Sequence, residues 1–563
     1  MTKMTSDKKT VNLLADMCLA QGIRHIIISP GSRNAPLILT FAAIESFTCH
    51  VVVDERSAAF VALGMAQQTG DPVALVCTSG TAVLNYAPAL AEAYYQQVPL
   101  LVLTADRPTE WIDQADGQTI RQDGIFTNFV RHHCTLPPDL HTPDDEWLCR
   151  RLIADALLAF DQGTSGPVHI NIPLREPLYG RTVHQHKKTH HVAYSQGTSM
   201  PDADTLAELA QLWSGTERVM VLAGMHRPDV ALQQVLQQMS ERERVAVLTE
   251  SLTNLYGEGF VRCIDRVVAS IGDDEAPLFR PDLLITFDGQ VLSKMVKTLL
   301  RKYPPREHWH ISPHGHATDT YRCLTRVVEA DPATFFTQLM PLVEPTKSRY
   351  RDLWHKRVEQ TNQQHQQAMQ ALPWSDLKVF DMVLNALPTG MSVQLGNSTP
   401  VRYGQLFDVW NGIDCYANRG TSGIDGCVST AVGAALARRE VTHLLVVGDV
   451  SFFYDSNALW NQHLPSNLKI VIVNNGGGGI FRYIPGPSDT DELEQFFATS
   501  HHMHAEMIAR QFGVAYWRCE NETDLREQLA TLMQHPHTAI VEVMTPAKES
   551  ARVLKGYFAA MRG

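Results

Sequence analysis

No apolar run in this chain approaches the roughly 20 residues that span a bilayer, and Met1-Thr2-Lys3-Met4 is not followed by a signal-peptide core. The expectation is a cytoplasmic protein with no integral membrane segment. Its 10 cysteines include no C-x-x-C pair. Neither a zinc site nor a disulfide framework is indicated, and a reducing compartment is the simplest setting. A dinucleotide fingerprint is also missing. The glycine run 476–479 lacks G-x-G-x-x-G spacing and an acidic residue about 20 positions later, which disfavours a nicotinamide oxidoreductase. There is no low-complexity tract and no short-period repeat. Basic residues are outnumbered, 48 Lys and Arg against 60 Asp and Glu, and the net charge of −12 argues against indiscriminate nucleic-acid binding.

What is present is an ordinary globular composition, 44% hydrophobic and 19% charged over 563 residues, enough for roughly three domains. In the first block, strand-like apolar runs at residues 25–29, 50–53, 73–78, 99–104 and 167–172 alternate with helical patterns. A polar, His/Lys-rich stretch at 182–200 reads as a linker. A plainer block follows, with strands near 218–224, 245–249 and 282–288, and then a long Gln-rich helical stretch at 347–372. The last block has strands near 392–395, 444–447, 469–473 and 538–544. This alternation predicts an α/β fold of three doubly wound parallel-sheet domains, at 1–181, 201–345 and 373–563.

Ligands of open α/β sheets bind at the carboxyl ends of strands. Gly448-Asp449-Val450-Ser451 follows one apolar run, and Asn474-Asn475-Gly476-Gly477-Gly478-Gly479-Ile480-Phe481 follows the next. An Asp, an Asn and a turn with free backbone groups suit a hard cation carrying a phosphate, selecting Mg²⁺, Mn²⁺ or Ca²⁺ over zinc. Asn418-Arg419-Gly420-Thr421-Ser422-Gly423-Ile424-Asp425-Gly426 precedes a small-residue helix. Such a turn fits either diphosphate binding or close backbone packing. In Gly396-Asn397-Ser398-Thr399-Pro400-Val401-Arg402, Ser398 and Arg402 would neighbour each other if a helix starts there.

The first block repeats the plan. Ser29-Pro30-Gly31-Ser32-Arg33-Asn34 and Thr78-Ser79-Gly80-Thr81 end strands. Asp54-Glu55-Arg56-Ser57 places Glu55 after a buried-looking strand, where it is either a helix-start carboxylate or an acid facing a ligand. Arg33, Arg107 and Arg121 fall on loops at one sheet edge, the last beside Gly117-Gln118, and suggest an anion-binding rim. Ser500-His501-His502-Met503-His504 has metal-like residue types without a partner cluster, so solvated histidines are expected.

Together the motifs Ser-Pro-Gly-Ser-Arg, Asp-Glu-Arg-Ser, Thr-Ser-Gly-Thr-Ala, Thr-Ala-Asp-Arg-Pro, Gly-Gln-x-Ile-Arg-Gln, Gly-Asn-Ser and Asn-Arg-Gly-x-Ser-Gly-Ile-Asp-Gly, in this order, closely resemble the 2-succinyl-5-enolpyruvyl-6-hydroxy-3-cyclohexene-1-carboxylate synthase family. These are thiamine-diphosphate enzymes of menaquinone biosynthesis, and the likeness runs from about residue 10 to 545. It implies a pyrimidine-binding, a central and a diphosphate-binding domain, in a homodimer or homotetramer. It further implies decarboxylation of 2-oxoglutarate and 1,4-addition of the succinyl-semialdehyde unit to isochorismate. The alternative is another thiamine-diphosphate decarboxylase or carboligase, such as an acetolactate-type synthase. By the same resemblance Glu55 activates the cofactor, while Asp449, Asn475 and the Gly477 carbonyl bind Mg²⁺ or Mn²⁺. Ser422, Gly423, Ile424, Gly448, Ser451, Ile480 and Phe481 surround the cofactor, Ile424 as an apolar wedge. Arg33, Gln118, Ser398, Arg402 and Arg419 contact substrate, with Ser32, Arg107 and Lys294 as weaker candidates. Met295 and Gly117 stand where some family members have Arg and Asn.

Overall fold

A computed structural model describes residues 4–184, 192–195, 197 and 199–562. Three six-stranded sheets succeed one another along the chain, each with all neighbouring strands parallel. The first sheet runs Thr48–Val51, His25–Ile28, Val73–Cys77, Leu100–Asp106, Val168–Pro173, His132–Thr135. Numbered within the unit, that order is 2-1-3-4-6-5. The third sheet has the same order, Asp414–Tyr416, Ser392–Leu395, His443–Gly448, Leu468–Asn474, Ala539–Met544, Ala515–Cys519. The middle sheet differs: Phe260–Val261, Val245–Leu248, Val219–Ala223, Leu283–Phe287, Glu307–Ser312, Arg326–Glu329, or 3-2-1-4-5-6.

The sheets are buried on both faces, which is why their central strands read as continuous apolar runs. Alternate residues of one strand enter different cores. Ile26 and Ile28 belong to one hydrophobic cluster and Ile27 to another. Leu445 and Val447 of the third sheet join Ile27 in that second cluster, while Leu444 and Val446 face away. The first and third sheets therefore share a core. Between them lie two helices, Glu55–Thr69 and Cys427–Ala437. They cross backbone to backbone: a Cβ at Gly64 would collide with the Thr430 carbonyl oxygen, and one at Gly433 with that of Val61. Only glycine permits that approach.

Several expectations change. Residues 182–200 are not wholly a linker. Arg181–Val183 is a strand, paired antiparallel with Met4–Ser6, while 185–191, 196 and 198 lie outside the described residues. The helical pattern over residues 82–97 divides into Thr81–Asn85 and Ala87–Gln96, because Pro88 supplies no N–H and favours a first turn. The strand before Glu55 is an edge strand, Thr48–Val51, in which only His50 is buried. The Gln-rich stretch is one helix, Tyr350–Gln370, and its His365 Nδ1 lies 2.8 Å from the Tyr557 hydroxyl of the C-terminal helix Ala547–Arg562. Among the described residues no helix is long and apolar enough to cross a membrane.

Candidate active site

In the 2-1-3-4-6-5 order the winding direction reverses between the first and third strands of the unit, and a crevice opens at their carboxyl ends. In the first unit this point carries the loops of Gly31 and Thr78, which are pressed together: the Thr78 hydroxyl accepts a hydrogen bond from Arg33 N, and a Cβ on Gly31 would strike the Thr78 side chain. In the third unit the corresponding loops begin at Gly396 and Gly448, and a Cβ at Gly396 would sit 3.0 Å from Val447 Cγ2.

On the third unit, Asp449 is 2% exposed and begins the helix Asp449–Tyr454. Its Oδ2 accepts a 2.8 Å hydrogen bond from Gly477 N, which ties the two strand ends together. Asn475 donates through Nδ2 to Asp376 Oδ2 at 2.8 Å, and its buried Oδ1 has no partner among the described residues. Asp376 is itself held by Thr545 and Ser550 hydroxyls at 2.6 and 3.0 Å. The Gly477 carbonyl accepts from Gly479 N at 2.9 Å and retains a second lone pair. A carboxylate, an orphaned amide oxygen and a peptide carbonyl form an oxygen donor set that fits a hard divalent cation. No group of three or more His, Cys, Asp or Glu suited to a metal exists among the described residues; the donors here are mostly amide oxygens.

One residue corrects the sequence reading. His501 is not a solvated histidine: its side chain is 12% exposed and Nε2 lies 3.3 Å from Asp449 Oδ2, an ion pair without hydrogen-bond alignment. The Asp449 carboxylate raises its pKa. Its ring also packs edge-on against Phe453 at 5.5 Å, and the backbone N–H of His501 donates to the Gly476 carbonyl. His502 and His504 are exposed, as expected.

The loop 418–426 is stapled to the same edge. Asn397 Nδ2 donates to the carbonyls of Asn418 and Gly423 at 2.6 Å each, while its Oδ1 accepts from Arg419 Nη1 at 3.0 Å. Ser451 Oγ donates to the Ile424 carbonyl at 2.7 Å. Ser422 and Ser398 take positive φ of 67° and 73°, a strained conformation for non-glycine residues that concentrates at functional turns. Ser398 stands at the N-cap position of the helix Thr399–Gly404 without a side-chain capping bond, so Ser398 and Arg402 share its first turns. Ile480 and Phe481 lie half-buried on the 3₁₀ turn Gly479–Arg482. A residue that sequence reasoning missed holds this loop from the first unit. Glu92 is 1% exposed and accepts from Gly420 N, Thr421 N and Thr421 Oγ1 at 2.6, 2.7 and 2.6 Å.

Positive charge is concentrated beside the loop. The Nε atoms of Arg402 and Arg419 are buried without a partner. Burial, and then Arg402, push the pKa of Arg419 down, and burial also lowers that of Lys297. Arg402 and the exposed Lys294 line a cavity of about 420 Å³ with Tyr403, Tyr483 and Ile484. The helix carrying Lys294 is seated by Glu250, which accepts from Leu292 N and Ser293 N at 2.6 and 2.7 Å; burial raises its pKa to about 7.

The first-unit residues form a second cluster. Arg33 is buried, donates to the Leu174 carbonyl at 2.9 Å and pairs with Glu176 at 3.3 Å. Arg107 lies 3.9 Å from the same Glu176 and donates to the Gly117 carbonyl, bringing the exposed Gln118 beside it. Burial, followed by Arg107, lowers the Arg33 pKa. Ser32 is exposed on the adjoining turn. Arg121 leaves the expected rim: its side chain is 81% exposed and pairs with Asp113 at 2.7 Å. Glu55 is half-buried at the first turn of its helix, capped by Asp54, whose carboxylate accepts from Arg56 N and Ser57 N.

Two families of sequence cover these two edges. Residues 8–125 match the thiamine pyrophosphate enzyme, N-terminal TPP binding domain, and 405–543 the thiamine pyrophosphate enzyme, C-terminal TPP binding domain. The fold and site thus define a thiamine-diphosphate enzyme. The chain is 40% identical to a 2-succinyl-5-enolpyruvyl-6-hydroxy-3-cyclohexene-1-carboxylate synthase of Flavobacterium psychrophilum, over 97% of each chain. It is 38% identical to that of Bacteroides fragilis over 99% of each, and 42% identical to that of Desulfotalea psychrophila over 91% of this chain and 94% of the relative. It belongs to this synthase family.

Proposed function

We propose that the protein decarboxylates 2-oxoglutarate and adds the succinyl-semialdehyde unit 1,4 to isochorismate, giving 2-succinyl-5-enolpyruvyl-6-hydroxy-3-cyclohexene-1-carboxylate and CO₂ in menaquinone biosynthesis. The observation that carries the reading is the positive charge of Arg402 and Lys294, which no described residue pairs, lining one cavity with Tyr483 and Ile484 just past the turn Gly479–Arg482 that follows Asn475 and Gly477 in the chain. Both substrates carry two carboxylates and need such charge. When bound, thiamine diphosphate would supply a thiazolium ring whose cationic nitrogen takes up the electron pair left by departing CO₂.

The chain's own residues divide the remaining work. Asp449, Asn475 and the Gly477 carbonyl would hold Mg²⁺ or Mn²⁺, and Ser422, Gly423, Gly448 and Ser451 would surround the diphosphate. Ile424 would prop the cofactor, and Ile480 and Phe481 would line its pocket. Glu55 would hydrogen-bond the aminopyrimidine ring and so favour its proton-accepting tautomer. Arg33, Gln118, Ser398, Arg402 and Arg419 orient substrate carboxylates, with Ser32, Arg107 and Lys294 farther out.

The pyrimidine-binding, central and diphosphate-binding domains are assigned to 1–181, 201–345 and 373–563. The cavity holding Arg402 is lined only by second- and third-unit residues. That supports a homodimer or homotetramer in which another copy contributes Arg33 and Gln118. Free cysteines throughout the chain support a cytoplasmic setting.

The test is turnover of 2-oxoglutarate with isochorismate, omitting cofactor and metal in turn. Product formation should require both and disappear in Glu55→Gln. Equal turnover with an unrelated acceptor, or turnover without thiamine diphosphate, overturns the assignment.

A further inference from the structure

The C-terminal helix Ala547–Arg562 has two faces. Val553, Leu554, Tyr557 and Met561 are buried in the core of the third unit. Lys555, Phe558, Ala559 and Arg562 recur on successive turns of another stripe, and all four line the 420 Å³ cavity together with Lys294 and Arg402. The stripe is therefore basic at both ends and apolar between them. None of the four cations, Lys294, Arg402, Lys555 and Arg562, forms an ion pair with a described residue. The cavity's one carboxylate, Asp265, accepts a hydrogen bond from Ser293 Oγ. Four cations facing one acid, over aromatic and aliphatic walls, make a container for an organic anion with an unsaturated or alkyl body.

We infer that Lys555 and Arg562 are substrate-binding residues of the site proposed above, each able to bind a carboxylate of an anionic substrate, and that the C-terminal helix is a wall of the active site. This rests on the proposed reaction for the identity of the anions. The geometry supporting it is independent of that reaction. The helix is anchored by Tyr557 against His365 and by Leu554 in the core, so its basic stripe is held in place toward the cavity rather than sampling solvent at random. Lys555 and Arg562 reach the cavity from an exposed surface, the position of residues that meet an incoming anion before Arg402 does.

The experiment uses the thiamine-diphosphate- and Mg²⁺-loaded enzyme. Lys555→Ala, Arg562→Ala and the double variant are compared with wild type by separate KM measurements for 2-oxoglutarate and isochorismate, with cofactor affinity and thermal midpoint measured in parallel. Loss of one charge-assisted hydrogen bond should raise the affected KM about tenfold. kcat should change less, cofactor affinity should not change, and Lys555→Arg should recover most of the loss. A rise in either KM supports the inference and identifies which substrate the residue meets. Unchanged KM for both substrates in the folded double variant overturns it. So does a loss that follows cofactor affinity or thermal midpoint alone, because that is a structural role. If wild type itself fails to join the two substrates, the proposed reaction fails. The helix is then judged by whether the double variant weakens binding of 2-oxoglutarate alone, measured calorimetrically: weaker binding upholds it and equal binding rejects it.

Discussion

Replacing Glu92 by Ala should disable the substrate loop without touching the metal cradle. Glu92 comes from the helix Ala87–Gln96 of the first unit and accepts three hydrogen bonds from Gly420 and Thr421, next to Arg419 in the third. Truncation leaves the Gly420 and Thr421 N–H groups without an acceptor at a buried contact. Each unsatisfied donor costs about 1–3 kcal/mol, so the native loop position is worth about 2–6 kcal/mol more than in the variant. The loop can escape part of that cost by moving toward water, and Arg419 moves with it. The cost must then surface in one of two places. Either the thermal midpoint falls, or kcat/KM for 2-oxoglutarate and isochorismate falls by at least about tenfold while cofactor affinity holds. Glu92→Gln should recover little, since its amide NH₂ would face a donor in place of an acceptor. The assay pairs steady-state kinetics with thermal unfolding of the loaded enzyme. Glu92→Ala with kcat/KM within about twofold of wild type and a midpoint within about 1 °C refutes the clamp.

Three further outcomes follow from other contacts. Asp376→Ala frees the Asn475 amide, whose orphaned oxygen is aimed by that hydrogen bond. Mg²⁺ affinity measured by titration in the presence of thiamine diphosphate should drop roughly 10–100-fold, and an unchanged affinity removes Asp376 from the metal site. Gly433→Ala drives a methyl group into the Val61 carbonyl and should destabilise by about 1–3 kcal/mol; a wild-type midpoint by calorimetry would contradict the close crossing. The Glu250 carboxyl has its pKa raised by burial from an ordinary 4.5 to about 7, so its contribution to stability is complete below 4.5 and is lost as pH rises through about 7. Glu250→Gln should flatten the decline of the thermal midpoint between pH 4.5 and about 7, and parallel profiles would show that Glu250 does not drive it.

Central strands were legible because both of their faces are buried and their residues form unbroken apolar runs. Of the edge strands only Thr48–Val51 was, expected at 50–53. His132–Thr135, Asp414–Tyr416 and Ala515–Cys519 sit at sheet margins, where exposure allows polar residues and the pattern fades. Glu307–Ser312 is interior yet was missed. Its His308 and His310 are buried against the Thr286 hydroxyl at 2.9 Å each, a pairing no local pattern announces. Asp449 and Asn475 stood out because each directly follows an obvious apolar strand, whereas Gly477 entered only through the family resemblance. Glu92 lies inside an Ala-rich helix and meets Gly420 only through the tertiary fold. His501 was misread for the same reason: the chain brings Asp449 to it from far away in sequence.

The crossing at Gly64 and Gly433 has a consequence for anyone who would divide this protein. Two bare backbones in contact leave no side chains to shield either surface once the other is gone. A fragment ending before the third unit would expose an apolar, glycine-lined stripe of its helix Glu55–Thr69 to water, with Ala58, Val61 and Met65 along it. The cofactor-binding modules of this chain are thus poor candidates for transplantation one at a time, and exchange between relatives should carry both helices together.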